Sequence, residues 1–402
     1  MRRISPTAFR IAKRETFREI NRQIALNLIR ASQPISRAEL ARQMGVRRGA
    51  VSRLVDALLE SGLVFEGAKG ESSGGRKPMQ LYIETRRRCA LAVDIGASRT
   101  LMLATDLLGQ PLTEVVELKT PDAPRVLIRE LVKGIGRLLA EHREIGKCSG
   151  LGIAVSGMVD AGRLRYSPTL GWRDVDLLQP LRAATRLPVV VENSCKACVL
   201  AQVWAVRGDA PVEGPIAFVN VSDGAGVGIA IDGKLLRGAH NLAGEFGHVT
   251  LDAAGPRCSC GQKGCWEAFV SKRATIARYL GADLAWPGSA RLKGVTIESV
   301  IARARAGENR ALEALRETGR HLGRGFGVIA NTVDPRRIYI GGEITAAWDL
   351  VLPNVRDALR RQALIREAAE VEILTVPLGE HPRLRGAAAL VSTPAFAAPV
   401  VA

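Results

Sequence analysis

One histidine and three cysteines share a short stretch: His248, then Cys258-Ser-Cys260 and, across a Gly-containing loop, Cys265. Imidazole and thiolate are the donors zinc prefers, four of them in a tetrahedron, and a short loop lets thiolates converge on one point. Paired short cysteine spacings of this kind predict a structural Cys3His zinc site at 248–265. The alternative is three buried free thiols beside an unrelated histidine. Two acids, Glu245 and Glu267, flank the ligands. A metal that fixed this loop would also fix their carboxylates beside a pocket.

Three further stretches could carry chemistry. Two turns are glycine-rich, Asp94-Ile-Gly-Ala-Ser-Arg-Thr100 and Asp223-Gly-Ala-Gly-Val-Gly228. Glycine lets backbone N–H groups come close to a phosphate, although such turns alone are weak evidence for a nucleotide. The third is Val191-Glu-Asn193-Ser194-Cys195-Lys196-Ala-Cys198. Its Cys-x-x-Cys spacing is that of a redox pair. It stands at the start of a helix reading to about Ala205, so small-residue packing is the better account.

These residues need elements to position them. Ile20 to Glu84 reads as a winged helix-turn-helix. Ile24, Leu26, Leu28 and Ile29 give a first apolar helix face. Ser36-Arg-Ala-Glu39 is a capping box that opens a helix to about Met44, and Gly45 supplies the turn. The next helix, about Arg48 to Glu60, has Val51, Leu54, Val55 and Leu58 at core spacing. Its other face offers Arg47, Arg48, Gly49, Ser52 and Arg53 near the N-terminal end, where a recognition helix meets base edges. Leu63–Phe65 and Gln80–Ile83 read as the strands of a wing with a flexible tip. Arg76 and Lys77 follow paired glycines there and could clamp phosphate or enter a minor groove. After a short basic linker, Cys89–Ile95, Leu101–Ala104 and Val115–Leu118 read as strands. Ile216–Val221 and Gly228–Ile231 repeat the strand, Gly-rich turn, strand pattern.

At Glu245-x-x-His248 and Cys258-x-Cys260-Gly-x-x-Gly-Cys265-x-Glu267, the sequence resembles the ROK family (repressors, open reading frames and sugar kinases). The resemblance implies an α/β protein: a winged helix-turn-helix over 1–88, then, over 89–402, a two-lobed ribonuclease-H-like domain of the actin and hexokinase type. The start Ser36-Arg-Ala-Glu-Leu-Ala41 and the wing Gly74-Gly-Arg76 are similar to the heads of the family's repressors. Gly152–Asp160 resembles the family's sugar-side loop and is followed by Ser167-Pro-Thr-Leu-Gly-Trp172, where Trp172 could stack on a sugar or simply pack in the core. Ile338-Tyr-Ile-Gly-Gly342 resembles the adenosine-side motif, although a strand ending at a tight turn is the preferred account. The resemblance implies that Asn193, Glu245, His248 and Glu267 hold sugar hydroxyls. The family's kinases read Glu-Asn-Asp-Ala-Asn at 192–196, and their aspartate takes the proton of the attacking hydroxyl. Ser194 replaces it here and Lys196 replaces the later asparagine. A lone hydroxyl is too weakly acidic to serve as that base, and Ala97-Ser98 departs from the kinase Gly-Thr, so sugar phosphorylation is expected to be lost.

Bulk properties agree with a DNA-binding regulator. The chain has 402 residues, enough for two or three domains, and a formal charge of +17. Between Met1 and Arg88 stand 19 Lys/Arg against 8 Asp/Glu, so most of the excess lies at one end, which suggests a nucleic-acid partner. Seven cysteines, no signal-like apolar segment and no run of transmembrane length argue for the reducing cytoplasm. The expected function is a repressor that binds an inverted-repeat operator on double-stranded DNA as a homodimer or tetramer, answers to a sugar or sugar derivative, carries a structural Zn2+ and is no enzyme. The alternatives are an ATP-dependent sugar kinase with an incidental basic head, and a regulator that answers to a protein partner.

Overall fold

The structure, a computed structural model, describes residues 14–69, 78–205, 214–284 and 294–396. Arg76 and Lys77 of the expected wing tip lie outside the described residues. No helix among the described residues is long and apolar enough to cross a membrane.

The N-terminal head has helices Arg14–Ser32, Arg37–Met44 and Arg48–Glu60. Its small sheet places Met79–Ile83 between Ile35–Ser36 and Val64–Lys69. The capping box forms at Ser36: the hydroxyl accepts the Glu39 N–H at 3.2 Å, and the Glu39 carboxylate accepts the Ser36 N–H at 3.0 Å. Gly45 ends that helix at φ 64°, a left-handed geometry that costs glycine little. Leu26, Ile29, Leu40, Val51, Val55, Leu58 and Leu81 are fully buried in the head core, each contributing about 1.5–3 kcal/mol of transfer free energy.

Two sequence expectations need correction here. The sequence pattern puts Ile24 on the first helix's apolar face, yet it is 44% exposed. The buried stripe runs through Ala25, Leu26 and Ile29, and Ile24 lies outside its arc. The first wing strand also continues past Phe65 to Lys69, with a register shift between Glu66 and Lys69. Position 67 within this strand needs glycine, because a β-carbon there would stand 2.6 Å from the Tyr82 ring, which stacks on Phe65.

The remainder contains one topology used twice. In the first lobe, the sheet order is Val189–Asn193, Lys147–Val155, Arg88–Ile95, Arg99–Asp106, Val116–Lys119. In the second, it is Lys234–Leu235, Ala225–Ile231, Pro215–Val221, Arg337–Gly341, Glu372–Thr375. In each lobe, the first three strands in chain order form an antiparallel meander, and the last two add in parallel beyond the first strand. This duplicated sheet is the two-lobed ribonuclease-H-like arrangement. Strands buried on both faces, such as Cys89–Ile95 and Ile216–Val219, are near-continuous apolar runs, as parallel pairing requires.

Helices Ser194–Ala205 and Pro382–Phe396 lie together beside the first sheet. A β-carbon on Gly386 would be 2.5 Å from the Ala197 backbone, and one on Gly152 would be 1.8 Å from the Ala387 carbonyl oxygen. Helices Asn309–Val333 and Trp348–Gln362 build the second lobe's core, where Gly323 comes within 2.3 Å of the Val355 carbonyl oxygen by the same measure. Strand Arg337–Gly341 ends just before Gly342, which turns the chain at φ 98°.

Candidate metal centre and ligand cavity

The donor atoms of His248, Cys258, Cys260 and Cys265 all lie within 4.8 Å of one another. Cys260 Sγ to Cys265 Sγ is 3.7 Å, and Cys258 Sγ to His248 Nδ1 is 3.6 Å. Zinc–sulfur and zinc–nitrogen bonds in a regular tetrahedron imply edges of roughly 3.8 Å for S–S and roughly 3.6 Å for S–N. Two of the cluster's edges therefore have the lengths of a closed tetrahedral site, and all four donors are of the type such a site uses. Burial pushes the Cys258 thiol well above its usual range and Cys265 up to about 11. Without a cation, these thiols stay protonated; a bound cation would displace the protons. Local backbone bonds shape the loop, including Cys258 N–H to the Gln262 carbonyl at 2.8 Å and Trp266 N–H to the Val249 carbonyl at 2.9 Å.

The loop delivers Glu267 to the second Gly-rich turn. One carboxylate oxygen accepts the Ala225 N–H at 3.0 Å, and the other accepts the Ser259 hydroxyl at 2.8 Å. A β-carbon on Gly224 would stand 2.4 Å from Glu267 Oε2. Gly226 and Gly228 likewise admit the start of helix Ser194–Ala205: their β-carbons would meet Cys195 Sγ at 2.6 Å and the Cys195 carbonyl oxygen at 2.1 Å. All three glycines of Asp223–Gly228 are thus accounted for by packing within the chain, without a phosphate.

A cavity between the lobes is lined by Asn193, Ser194, Glu245, His248 and Glu267, together with Arg383. The five residues singled out from sequence come from four separate places in the structure. Strand Val189–Asn193 ends at Asn193, Ser194 begins the next helix, a 3-10 turn over Phe246–His248 carries the Glu245–His248 pair, and Glu267 opens a short helix. Asn193 does more local work than its sequence role suggested. Its Oδ1 accepts the Cys195 and Lys196 N–H groups at 2.8 and 3.2 Å, and its Nδ2 donates to the Gly157 carbonyl at 2.8 Å. It caps the helix and ties down the Gly157 loop, leaving one amide N–H for a ligand. Burial pushes the Glu245 carboxyl up, against the pull of the nearby His248 and Lys196 charges.

Burial pushes the Cys195 thiol up to about 11 and raises the Cys198 thiol well above its usual range, so this pair has the chemistry of inert core thiols. Trp172 is buried in the first lobe's core, and its indole N–H donates to the Asp122 carbonyl at 2.7 Å. It is core packing and does not line the cavity, which corrects the sugar-stacking option.

Two features were not found from the sequence. Arg383 pairs with Asp94 at 2.7 Å and donates to the Ile95 carbonyl and the Ser156 hydroxyl, each at 3.0 Å. Lys196 is almost fully buried and donates to both the carbonyl and side-chain oxygens of Asn241, whose amide reaches Glu192 at 3.0 Å. Arg237 closes this group on Glu192 at 3.2 Å. The signal for Lys196 was present as a lone cation in an otherwise apolar helix. Arg383 had no local signal, because its partner is nearly three hundred residues away. Across the cleft, Lys272 bridges Asp223 and Glu343, both at 3.1 Å.

In the head, Arg47, Arg48 and Arg53 are exposed along helix Arg48–Glu60. Ser52 is half-buried, and its hydroxyl donates to the Arg48 carbonyl at 3.1 Å. Arg37 joins this helix to the wing through Asp56 at 2.8 Å and Glu66 at 3.0 Å.

Comparisons with known proteins agree with both halves. The MarR family model matches residues 23–75, and the ROK family model matches residues 90–393. The xylose repressor of Bacillus subtilis (strain 168) is 28% identical over 383 residues, covering 95% of this chain and 97% of that protein. The DNA-binding transcriptional dual regulator NagC of Escherichia coli (strain K12) is 27% identical over 378 residues, covering 93% and 92%. Among solved structures, a ROK family transcriptional regulator described as a homologue of the E. coli MLC protein superposes with a TM-score of 0.78 at 23% identity, covering 95% and 97%. A ROK family glucokinase from Streptomyces griseus, in complex with glucose and AMPPNP, superposes with a TM-score of 0.63 at 28% identity, covering 75% of this chain and 98% of that one. The chain belongs to the ROK family.

Proposed function

We propose that this protein is a transcriptional repressor whose affinity for operator DNA is set by a sugar or sugar derivative bound between the lobes. The observation that carries this reading is Ser194, which stands in a polar inter-lobe cavity where phosphoryl transfer would need a proton acceptor. The same chain carries a winged helix-turn-helix head. The division is residues 1–88 for DNA and 89–402 for the ligand. Glu245, Glu267 and the remaining N–H of Asn193 would hold vicinal hydroxyls through paired hydrogen bonds. His248 would act chiefly through the metal that orients it.

The metal would be zinc, with His248, Cys258, Cys260 and Cys265 as its ligands; bound there, it would anchor the loop rather than act as a Lewis acid. Arg47, Arg48, Ser52 and Arg53 would face base edges and phosphates, with Arg76 and Lys77 at the wing adding phosphate contacts. A homodimer would place two heads on an inverted repeat.

The test uses a duplex selected by the protein from a random library. Arg48→Ala or Arg53→Ala should cost about 1–3 kcal/mol of operator binding and relax sequence preference if the contact is bidentate to guanine. A panel of hexoses, pentoses, amino sugars and their phosphates should contain a compound that shifts operator affinity, with no phosphate transfer from ATP to any of them. Turnover would restore the kinase reading. Silence of every sugar, with Glu245→Ala also silent, would favour control by a protein partner.

A further inference from the structure

Two helices begin at the cavity and end at the DNA-binding head. Helix Ser194–Ala205 starts with cavity-lining Ser194 and Cys195 and has Trp204 at its far end. Helix Pro382–Phe396 starts with cavity-lining Arg383 and ends at Phe396. Their 12 and 15 residues span roughly 18 and 22 Å at about 1.5 Å per residue. They are held together as one body by the close approach of Gly386 to Ala197.

At the far end, both helices meet a single face of the head helix Arg14–Ser32. The Arg30 guanidinium lies 4.2 Å from the Trp204 ring centroid and 5.3 Å from that of Phe396. It also donates to the Trp204 carbonyl at 2.8 Å. One turn earlier, Asn27 Nδ2 donates to the Phe396 carbonyl at 2.7 Å. Phe396 and Leu107 are buried in the head's own core cluster, with Trp204 packed against it. The head is therefore clamped to the two helices by cation–π contacts, two hydrogen bonds and a shared apolar core.

The junction also carries unspent hydrogen-bonding capacity. Trp204 Nε1 and, one turn before Asn27, Gln23 Oε1 are buried with no partner among the described residues. A buried unpaired donor or acceptor is destabilising. A shift of the junction that gave these groups partners would be favoured by them, which suits an element that moves between two positions.

We propose that these paired helices carry occupancy of the cavity to the DNA-binding head, with Arg30 as the clamp that couples them to it. This rests on the effector reading above. A ligand that engages Ser194 or displaces Arg383 from Asp94 moves the start of one helix. The pair moves together, and Trp204 and Phe396 shift against Arg30 and Asn27. Arg30 is a positioning residue and makes no contact with the cavity.

The test is a double-mutant cycle read as affinity for the operator duplex selected by the full-length wild-type protein. Arg383→Ala perturbs the cavity end, and Arg30→Ala opens the clamp. Arg383→Ala should change operator affinity at least ~5-fold with Arg30 present, the low end of usual allosteric coupling. With Arg30→Ala, it should change affinity less than ~2-fold, as for independent sites. Equal effects in the two backgrounds, or no effect of Arg383→Ala in either, would overturn the proposal. If Arg30→Ala abolishes operator binding outright, Trp204→Leu takes its place in the cycle under the same criterion. A sugar that shifts operator affinity of the wild type should still bind Arg30→Ala by calorimetry while losing its effect on DNA. If no sugar acts on the wild type, the effector reading fails, and the cycle still decides the clamp.

Discussion

Replacing Cys258 with serine removes one thiol from a cluster with two edges at the lengths of a zinc tetrahedron. Cys258 is buried, 3.6 Å from His248 Nδ1 and 3.5 Å from a Glu267 oxygen. A serine hydroxyl does not ionise at neutral pH, so the variant keeps three good ligands and a poor fourth. Loss of a mere supporting hydrogen bond costs about 10–100-fold in metal affinity; loss of a ligand should cost at least the upper figure. At metal concentrations that saturate the wild type, a ~100-fold loss removes about 2.7 kcal/mol of stabilisation through mass action. With about 2–4 °C of melting temperature per kcal/mol for a large domain, the shift is roughly 5–10 °C. The freed loop also releases Glu267, so sugar binding should weaken by about 1.5–3 kcal/mol, the usual worth of a hydrogen bond to a charged group. Metal analysis of protein purified without a metal-affinity tag should find about one zinc per wild-type chain. Thermal melts with added zinc and with chelator should differ for the wild type and converge for Cys258→Ser. Cys148→Ser, a thiol outside the cluster, serves as the control. A wild type without metal that melts identically with and without chelator would refute the reasoning.

Gly228→Ala should disable the response to sugar, or the fold itself, because the new methyl would stand 2.1 Å from the Cys195 carbonyl oxygen and push the helix start from the cavity; sugar titrations and circular dichroism report the two outcomes. Ser36→Ala should cost the head about 1 kcal/mol, the usual worth of an N-cap, read by denaturant unfolding of the head's signal. Burial and the Arg278 charge hold His321 down at about 4, despite Glu317 at 3.1 Å and with Arg320 and Arg324 also near. The unfolded chain protonates this imidazole first, so stability should be unaffected above about pH 6.5 and fall by up to ~3 kcal/mol as pH drops towards 4. His321→Gln should flatten that part of the stability–pH curve.

The head and the metal cluster were largely legible because their information is local. A capping box, a left-handed glycine and a 3.6-residue apolar period specify Ser36 to Glu60 within a few turns. Likewise, His248 and three cysteines on one loop need no distant partner to converge. The cavity was legible at its carboxylates through the family motif, but the work of Asn193 was not. Its Oδ1 is consumed by two N–H groups that exist as free donors only at a helix start. Arg383 was invisible because a surface arginine and one aimed at Asp94 look alike until the C-terminal helix is laid across the first sheet. Ile24 shows the limit of periodicity at short range, since four neighbouring apolar residues do not by themselves say which three face the core.

Ser194→Asp restores the residue type that phosphoryl transfer would use, and it is expected to yield no kinase. Folding is not the obstacle, because a carboxylate at the first position of helix Ser194–Ala205 is favoured by the helix dipole. The obstacle is the rest of the charge arrangement. In the first lobe, Asp94 is held by Arg383 at 2.7 Å. In the second, Asp223 and Glu343 are held by Lys272, each at 3.1 Å. These three carboxylates are therefore already matched by the chain's own cations, and a metal–nucleotide that used them would have to break ion pairs that are largely shielded from water. In the second turn the Ala225 N–H is already bound to Glu267, so part of the backbone cradle is used within the chain. Phosphoryl transfer needs base, cradle and metal positions together, and one substitution supplies only the first. Release of ADP from ATP with each sugar of the panel measures the outcome. Sustained turnover by Ser194→Asp would mean that these ion pairs open readily, and that the lost base alone separates this pocket from a working kinase.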